Sequence, residues 1–290
     1  MAAVARDYAG PEDLRRMQRL VQECWALRGP AWAQHVGDLA WGRFQHTGRE
    51  QLWRTRLWED GGHVVAYAWL FEGDVLDFCV HPDSPELLDE VLAWAHATET
   101  DVLDSNSDAI AALERTGYER VGDGEPFMLY LARRLDELPQ PACPDGFALR
   151  TVSEADVESR VEAHRSAFHP SRVTVESYRN VMRAWPYRAE LDCIAVAPDG
   201  RVAAYSLAWL DDENRVGELE PVGTHTDFRR RGLAAAVCAF ALRRLREEGA
   251  ERAVVHARGD AAYAGPEQLY ESLGFRPHAR TMTYRAGAPA

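Results

Sequence analysis

Residues 147–285 carry two kinds of hydrophobic periodicity, and together these predict a mixed α/β layer. Some segments place apolar residues on one helical face, while shorter ones alternate or run apolar throughout, as strands do. The predicted strands are 147–152, 192–197, 201–210, 216–225, 253–257 and 282–285. The predicted helices are 153–167, 175–184, 233–248 and 267–273. The order β-α-α-β-β-β-α-β-α-β indicates a sheet flanked by helices.

The first half of the chain repeats landmarks of the second half. The turn and apolar stretch at 62–67 resembles the one at 200–205, which predicts a hairpin in each half. The helix end at 113–118 likewise resembles the one at 270–275. In both, a glycine closes the helix, because glycine adopts the left-handed conformation after a helix without strain. Two copies of one architecture are therefore expected.

A proline-rich stretch separates the two halves. Pro139, Pro141 and Pro144 disfavour both helix and sheet, so this stretch is expected to be extended. The predicted organisation is a first domain at 1–139, a linker at 140–146 and a second domain at 147–290.

The composition is that of an ordinary globular protein, with 290 residues of which 46% are hydrophobic and 27% charged. A formal net charge of −13 repels polyanions, so nucleic acids and membranes are not expected as partners. All 33 basic residues are arginines, which excludes lysine Schiff-base enzymes and Walker loops. The five cysteines form no CxxC pair, so we expect no metal, no disulfide framework and a cytoplasmic location.

The sharpest local motif lies between a predicted strand and the long predicted helix. Arg229, Arg230 and Arg231 precede Gly232, and small residues follow at 234–236. A helix start offers free N–H groups and partial positive charge, so this turn suits a phosphate or pyrophosphate. The alternative is an ordinary turn whose arginines are merely solvated.

Two motifs in this half resemble the GNAT superfamily of acyl-CoA-dependent N-acyltransferases. Arg229, Gly232 and Ala234 fit its pyrophosphate loop, Q/R-x-x-G-x-G/A, and residues 269–275 fit its terminal LYE-x-x-GF signature. The resemblance implies two tandem GNAT-like α/β domains, each a mixed, mostly antiparallel central sheet flanked by helices, with acetyl-CoA as co-substrate. The cofactor-binding residues implied are Val222, Gly223, Thr224, Arg229, Arg230, Arg231, Gly232, Leu233, Ala234 and Ala235.

The corresponding stretch of the first half lacks such a loop. After the strand end at 77–83, residues 84–90 contain three acids but no arginine and no glycine. Carboxylates there would repel a phosphorylated cofactor. We therefore interpret the first half as a degenerate sister domain, with two active copies as the alternative.

Two glutamates and a tyrosine are the candidate catalytic residues. An ammonium group must lose a proton before its nitrogen can attack, so a base is needed. The resemblance implies Glu218 as that base, and Glu220, on the same strand face, is the next candidate. It also implies Tyr270 as the acid that protonates the departing thiolate. In the structural alternative, the glutamates cap a strand or bind substrate, and Tyr270 packs beside Phe275.

Other residues of the same region receive supporting roles. Backbone N–H groups at 222–224 are expected to hold the developing oxyanion, and Pro221 to mark a β-bulge. His225 and His256, at the two strand ends, are interpreted as structural. Seven of the nine tryptophans lie in the first half, where they form core or line an acceptor pocket.

The leading hypothesis is an N-acetyltransferase that moves acetyl from acetyl-CoA to a primary amine of a small, cationic molecule, by direct attack in a ternary complex. The tandem arrangement also resembles mycothiol synthases, which implies a cysteinyl sugar as an alternative acceptor. A non-catalytic acyl-CoA sensor or scaffold is the third reading. Oligomeric state stays open, with a homodimer as one option.

Overall fold

The structure of the chain, a computed structural model, describes residues 3–30, 32–49, 52–71, 74–122, 126–259 and 263–287. In the described part of the first half, a strand and two helices precede three consecutive strands. The strands are β1 (Val4–Asp7), β2 (Thr55–Asp60), β3 (His63–Phe71), β4 (Val75–Val80), β5 (Glu99–Leu103), β6 (Tyr118–Arg120) and β7 (Met128–Arg134). The helices are α1 (Pro11–Arg28), α2 (Val36–Phe44), α3 (Leu87–Ala95) and α4 (Ser107–Arg115).

The second half repeats this order and contains every helix and strand predicted for it. Its strands are β8 (Ala148–Thr151), β9 (Asp192–Val196), β10 (Val202–Asp211), β11 (Val216–Thr224), β12 (Arg252–Arg258) and β13 (Arg276–Ala286). Its helices are α5 (Val157–Ala167), α6 (Val175–Arg183), α7 (Leu233–Glu247) and α8 (Gly265–Ser272). β13 begins at Arg276, well before the predicted residue 282. The prediction missed this part of the strand because its first three residues are polar or proline and exposed, and so carry no apolar signal.

All thirteen described strands join one sheet. Its order is β1-β2-β3-β4-β5-β13-β7-β12-β11-β10-β9-β8, with β6 paired to β13. Most pairs are antiparallel, and the parallel ones are β4 with β5 and β11 with β12. The predicted mixed, mostly antiparallel sheet is therefore present.

The two halves exchange strands at the centre of this sheet. β7, from the first half, pairs antiparallel with β12 of the second half. β13 pairs first with β7 and then, from Thr281 onward, with β5 of the first half. The predicted linker at 140–146 lies between β7 and β8 and contains neither helix nor strand. Main-chain hydrogen bonds thus tie the halves together on both sides of that linker.

Buried side chains also cross between the halves, and they hold α2 against β11. Val216 and Val254 of the second half belong to the cluster built around α1 and α2. Trp41 of α2 belongs to a second cluster, together with Trp209 and residues of α5 and α6. The Gln22 side-chain amide donates to Asp211 Oδ1 over 2.6 Å. Such shared apolar burial makes the position of α2 a fixed feature of the second half's site.

No helix in the described part of the chain is both long and apolar enough to cross a bilayer.

Candidate active site

β11 and β12 run side by side only briefly before they separate. Their parallel pairing extends from Val216 opposite Arg252 to Glu218 opposite Val254. Beyond this opening, α7 starts after Gly232, whose φ of +78° lies in the left-handed region. No side chain caps the first turn of α7, so its N–H groups remain available to a ligand.

A cavity of about 460 Å³ occupies the opening between the end of β11 and the starts of α7 and α8; we call it the α7 cavity. Nine of the ten predicted cofactor-binding residues line it: Val222, Gly223, Thr224, Arg229, Arg230, Gly232, Leu233, Ala234 and Ala235. The tenth, Arg231, instead places its guanidinium 5.8 Å from the centre of the Phe228 ring. The structure thus brings the predicted loop residues together around one space.

The rim of the α7 cavity is fixed by main-chain contacts and by tight packing. The Arg229 guanidinium donates to the carbonyl oxygens of Ala167 and Thr224, at 3.2 Å and 3.5 Å. A Cβ atom on Gly223 would lie 2.4 Å from the Tyr205 hydroxyl oxygen. Only glycine fits at 223 while the Tyr205 ring keeps its place.

Tyr270 lies on α8 and lines the same cavity. Its side chain is buried, and its ring meets Phe275 edge-on with centroids 5.9 Å apart. Burial raises the pKa of Tyr270 well above its ordinary value, with a further contribution from Cys238. The phenol therefore keeps its proton at neutral pH, as a proton donor must.

Glu218 lies where β11 leaves β12, and its side chain has no exposed surface. Its Oε2 atom is 3.1 Å from His35 Nδ1, and its Oε1 atom is 3.7 Å from His256 Nε2. No described N–H group donates a hydrogen bond to either oxygen, and the Asp38 carboxyl donates one when it is protonated. Burial raises the pKa of Glu218 well above its ordinary value, and Glu220 raises it further.

The hydrogen bonds of His35 show which of its ring nitrogens carries hydrogen and which one faces Glu218. Its Nε2 atom lies 3.2 Å from the Val216 carbonyl oxygen, which can only accept, so Nε2 carries hydrogen. Its Nδ1 atom accepts from the Gly37 N–H, and burial lowers the pKa of the ring. The Nδ1 lone pair also faces Glu218 Oε2, so this short contact is favourable when Glu218 is protonated.

Asp38, from α2 of the first half, is the third group of the cluster. Its Oδ2 atom accepts a hydrogen bond from the backbone N–H of His35 at 2.9 Å. Burial, followed by the charge of Glu218, raises the pKa of Asp38 well above its ordinary value. Ligand atoms of Asp38, Glu218 and His256 all lie within 4.8 Å of one another, a spacing that could hold a metal ion. Two carboxyls so close share protons, and they titrate as a pair.

Glu220, two residues along β11, is partly exposed and faces a different space. It lines a cavity of about 710 Å³ together with Trp41, His164 and Phe168, which we call the α5 cavity. Burial, then the charge of Asp38, raises the pKa of Glu220 to about 8. Phe168 also lines the α7 cavity, so the two spaces adjoin.

Pro221, next to Glu220, lies in the bulge expected there. The register between β10 and β11 shifts between Ser206 opposite Val222 and Ala208 opposite Leu219. Three residues of β11 therefore advance against two of β10, which is the geometry of a β-bulge.

Residues 158–275 match the sequence profile described as Acetyltransferase (GNAT) family. The second half of the chain therefore resembles the GNAT family of acetyltransferases. The loop residues and Tyr270 that carried the resemblance all fall inside the matched region.

Known proteins resemble this chain along most of its length. The mycothiol acetyltransferase of Saccharomonospora viridis is 29% identical over 249 residues, which cover 78% of this chain and 80% of that protein. A GCN5-related N-acetyltransferase from Sphaerobacter thermophilus superimposes with a TM-score of 0.63 at 21% identity, covering 99% and 98% of the two chains. A tandem GNAT protein from the clavulanic acid biosynthesis pathway gives 0.65 at 16% identity, covering 99% and 100%. The tandem GNAT fold is confirmed.

Three residues around Glu218 were missed or undervalued by the sequence analysis. His35 and Asp38 belong to the first half, and nothing local marks them as part of a GNAT site. A usable signal was the acid at 38 in a short helix whose other residues, apart from Arg43, are apolar or glycine, since buried carboxyls are rare without a partner. His256, interpreted as structural, faces Glu218, and His225 accepts the Asp227 N–H and caps a short turn.

Proposed function

We propose that the chain transfers acetyl from acetyl-CoA to a primary amine of a small cationic molecule, by direct attack in a ternary complex. The observation that carries this is the placement of β11 between two spaces. The α7 cavity on one side contains Tyr270 and the loop, and the α5 cavity on the other contains Glu220. A donor and an acceptor therefore have separate entries to one strand.

The loop around Gly232 is the proposed pyrophosphate site. The uncapped first turn of α7 supplies N–H donors, and Arg229 and Arg230 line the same cavity. In a chain of net charge −13, this cluster of arginines is what a polyanionic cofactor would meet. The role of Arg231 is then long-range attraction, since it lies off the cavity wall.

The proposed reaction forms one bond, breaks one bond and moves three protons. Glu218 accepts a proton from the acceptor ammonium, and the freed nitrogen attacks the thioester carbon to form the C–N bond. N–H groups at 222–224 hold the resulting oxyanion. The C–S bond then breaks, Tyr270 protonates the departing coenzyme thiolate, and the second proton of the attached nitrogen returns to the Tyr270 phenolate. Glu220 is the alternative base, because its pKa of about 8 also suits the task.

Glu218 has to be ionised before it can act as base, although its surroundings favour the protonated form. An ammonium group beside it supplies the missing opposite charge and lowers its pKa. A cationic acceptor thus favours the ionised form of Glu218, which can act as base, whereas an anionic acceptor would keep Glu218 protonated.

The release of free coenzyme thiol across a panel of amines tests this function. We expect turnover with cationic amines and little with amines that carry a carboxylate; a preference for anionic amines would contradict the proposal. Tyr270→Phe is expected to lower kcat about 100-fold while the KM for acetyl-CoA stays within twofold, because the ring contact with Phe275 persists. Full turnover in this variant would remove the acid assignment.

A second acceptor class is favoured by the relative from Saccharomonospora viridis, whose name assigns acetylation to mycothiol. In that case the acceptor is the amine of a cysteinyl sugar. A direct assay with a cysteinyl glucosaminide distinguishes the two: it outperforms simple cationic amines only under this second candidate.

A further inference from the structure

A third cavity lies between the two halves of the molecule; we call it the interdomain cavity. Its volume is about 340 Å³, within the range of small-molecule sites. Its walls come from α2, β4 and β5 of the first half and from β7 and β12 around the second half's site. Trp41 and Gln45 line both this cavity and the α5 cavity, so the two spaces adjoin.

The interdomain cavity is acidic. Asp38, Asp77 and Asp101 line it, and no arginine is among its described lining residues. Asp77 accepts a hydrogen bond from the Tyr67 hydroxyl at 3.2 Å, and Asp101 accepts one from the Thr283 hydroxyl at 2.6 Å. These donors are neutral. Burial raises the pKa of Asp77 to about 7, so a cation bound beside Asp77 would favour its ionised form.

Aromatic rings make up much of the remaining wall. Ring faces attract cations, and they do so more strongly when water is excluded. The rings are those of Trp32, Trp41, Phe71, Phe78 and Tyr130. His256 adds no positive charge, because burial lowers its pKa to about 3. Carboxylates among aromatic faces form a surface that suits ammonium groups.

The inner end of this cavity reaches the proposed base. Asp38 and His256 line the cavity, and both contact Glu218. Glu218 is fully buried, and neither of its oxygens receives a hydrogen bond from a described N–H group. An ammonium group entering along Asp38 would supply the donors that Glu218 lacks.

The strand register gives Asp77 a counterpart in the second half. Asp77 of β4 lies opposite Trp69 of β3. The repeat that aligns residues 62–67 with 200–205 also aligns Trp69 with Leu207, and Leu207 lies opposite the bulged stretch of β11 that contains Glu220. The first half therefore places a carboxyl where the second half places its alternative base, but directs it toward the space between the halves.

We propose that the acceptor extends from the α5 cavity into the adjoining interdomain cavity, where Asp77 and Asp101 hold a second cationic group of it, so that the substrate is a diamine or another amine with a second basic group. This rests on the proposed function, because the first amine is the one that faces Glu218. The first half would then select the substrate, and the catalytic residues would come from the second half.

Calorimetry on the full chain, with coenzyme A bound to prevent turnover, tests this with 1,6-diaminohexane, hexylamine and 6-aminohexanoate. We expect the diamine to bind at least tenfold more tightly than hexylamine, and 6-aminohexanoate to bind most weakly. Asp77→Asn is expected to weaken diamine binding at least tenfold and hexylamine binding less than twofold. Asparagine still accepts from Tyr67, so the fold is retained, and Asp101→Asn serves as the second variant. Asp83→Asn, an exposed change of equal charge outside the cavity, is the control.

Equal affinities for the diamine and hexylamine, or equal behaviour of the variants at 77 and 83, would overturn the inference. Turnover of monoamines with no benefit from a second charge would leave the proposed function standing without it. Tight, Asp77-dependent diamine binding without acetylation of any amine would instead leave the inference standing and remove the proposed function.

Discussion

The two halves open their sheets in the same way and fill the openings differently. β4 and β5 pair in parallel at Val75 and Leu76 and then separate, much as β11 and β12 separate after Glu218. At the second opening lies the α7 cavity of about 460 Å³. At the first, the space beside Pro82 and Pro85 near the start of α3 has only about 10 Å³, and the larger interdomain cavity lies against β4 and β5 instead. The same backbone arrangement thus gives an open cavity at the start of α7 and a closed turn at the start of α3.

The difference comes from side chains at the helix start. α7 begins after a left-handed glycine and has no acid in its first turn. α3 begins after Glu86 and has Asp89 and Glu90 in its first turn. Carboxylates at a helix N-terminus satisfy its partial positive charge and exclude an anionic ligand. Strand divergence alone therefore makes no cofactor site, and function depends on the residues placed around it.

The largest loss of activity is expected at Glu218, where β11 and β12 separate. Glu218→Gln should lower kcat by about 10²- to 10⁴-fold, because the amide cannot accept the ammonium proton. Acetyl-CoA affinity should stay within twofold in calorimetry, since Glu218 is not among the residues of the α7 cavity wall. Glu213→Gln, at the exposed turn before β11, is the matched control. A Glu218 variant with half the normal kcat would refute the base assignment.

The next test converts the second half's helix start toward the acidic character of the first. Gly232→Glu should weaken acetyl-CoA binding at least tenfold, because a carboxylate enters the anion site. Any side chain at a φ of +78° also strains the backbone by about 1–2 kcal/mol. Gly200→Glu controls for this, since Gly200 has a φ of +87° in the turn between β9 and β10. Both variants should lose similar thermal stability; equal loss of acetyl-CoA affinity would contradict the anion site.

Hydrophobic periodicity and turn residues were sufficient to predict the second half's elements. Its strands alternate or run apolar, and its longest helix starts after Gly232, so local signals and tertiary structure agree. The exchange of β7 and β13 between halves could not be predicted, because strand partners are set by packing between distant segments. The length of β13 was also missed, because the polar residues at its start carry no apolar signal.

The site was predictable where a motif spans consecutive residues, and it was missed where residues meet only in space. The loop residues and Tyr270 converge on the α7 cavity as the motif implies. His35 and Asp38 lie about 180 residues before Glu218 in the chain and reach it only because α2 packs on β11. A motif defined by residue spacing within one half cannot predict a contact between the two halves.

The pH profile of kcat separates the two candidate bases. Both carboxyls have raised pKa values, so activity should rise with pH as the base ionises and be lost on acidification. The Glu220 charge raises the pKa of Glu218, so Glu220→Gln should shift this limb toward lower pH while the plateau is retained. A Glu220 variant inactive at every pH would make Glu220 the base.

The smallest effect is expected in the first half, where the comparison predicts no cofactor site. Calorimetry should give one acetyl-CoA per chain, since the α7 cavity is open and the space beside Pro82 is too small for a cofactor. Glu86→Gln should then change acetyl-CoA affinity less than twofold, although it removes a charge from the start of α3. The Gly232→Glu variant supplies the counterpart: it should abolish the single binding event and reveal no residual one. A second stoichiometric site that survives Gly232→Glu and tightens with Glu86→Gln would mean that the acids only weaken a working loop, and the first half would have to be regarded as a second active copy.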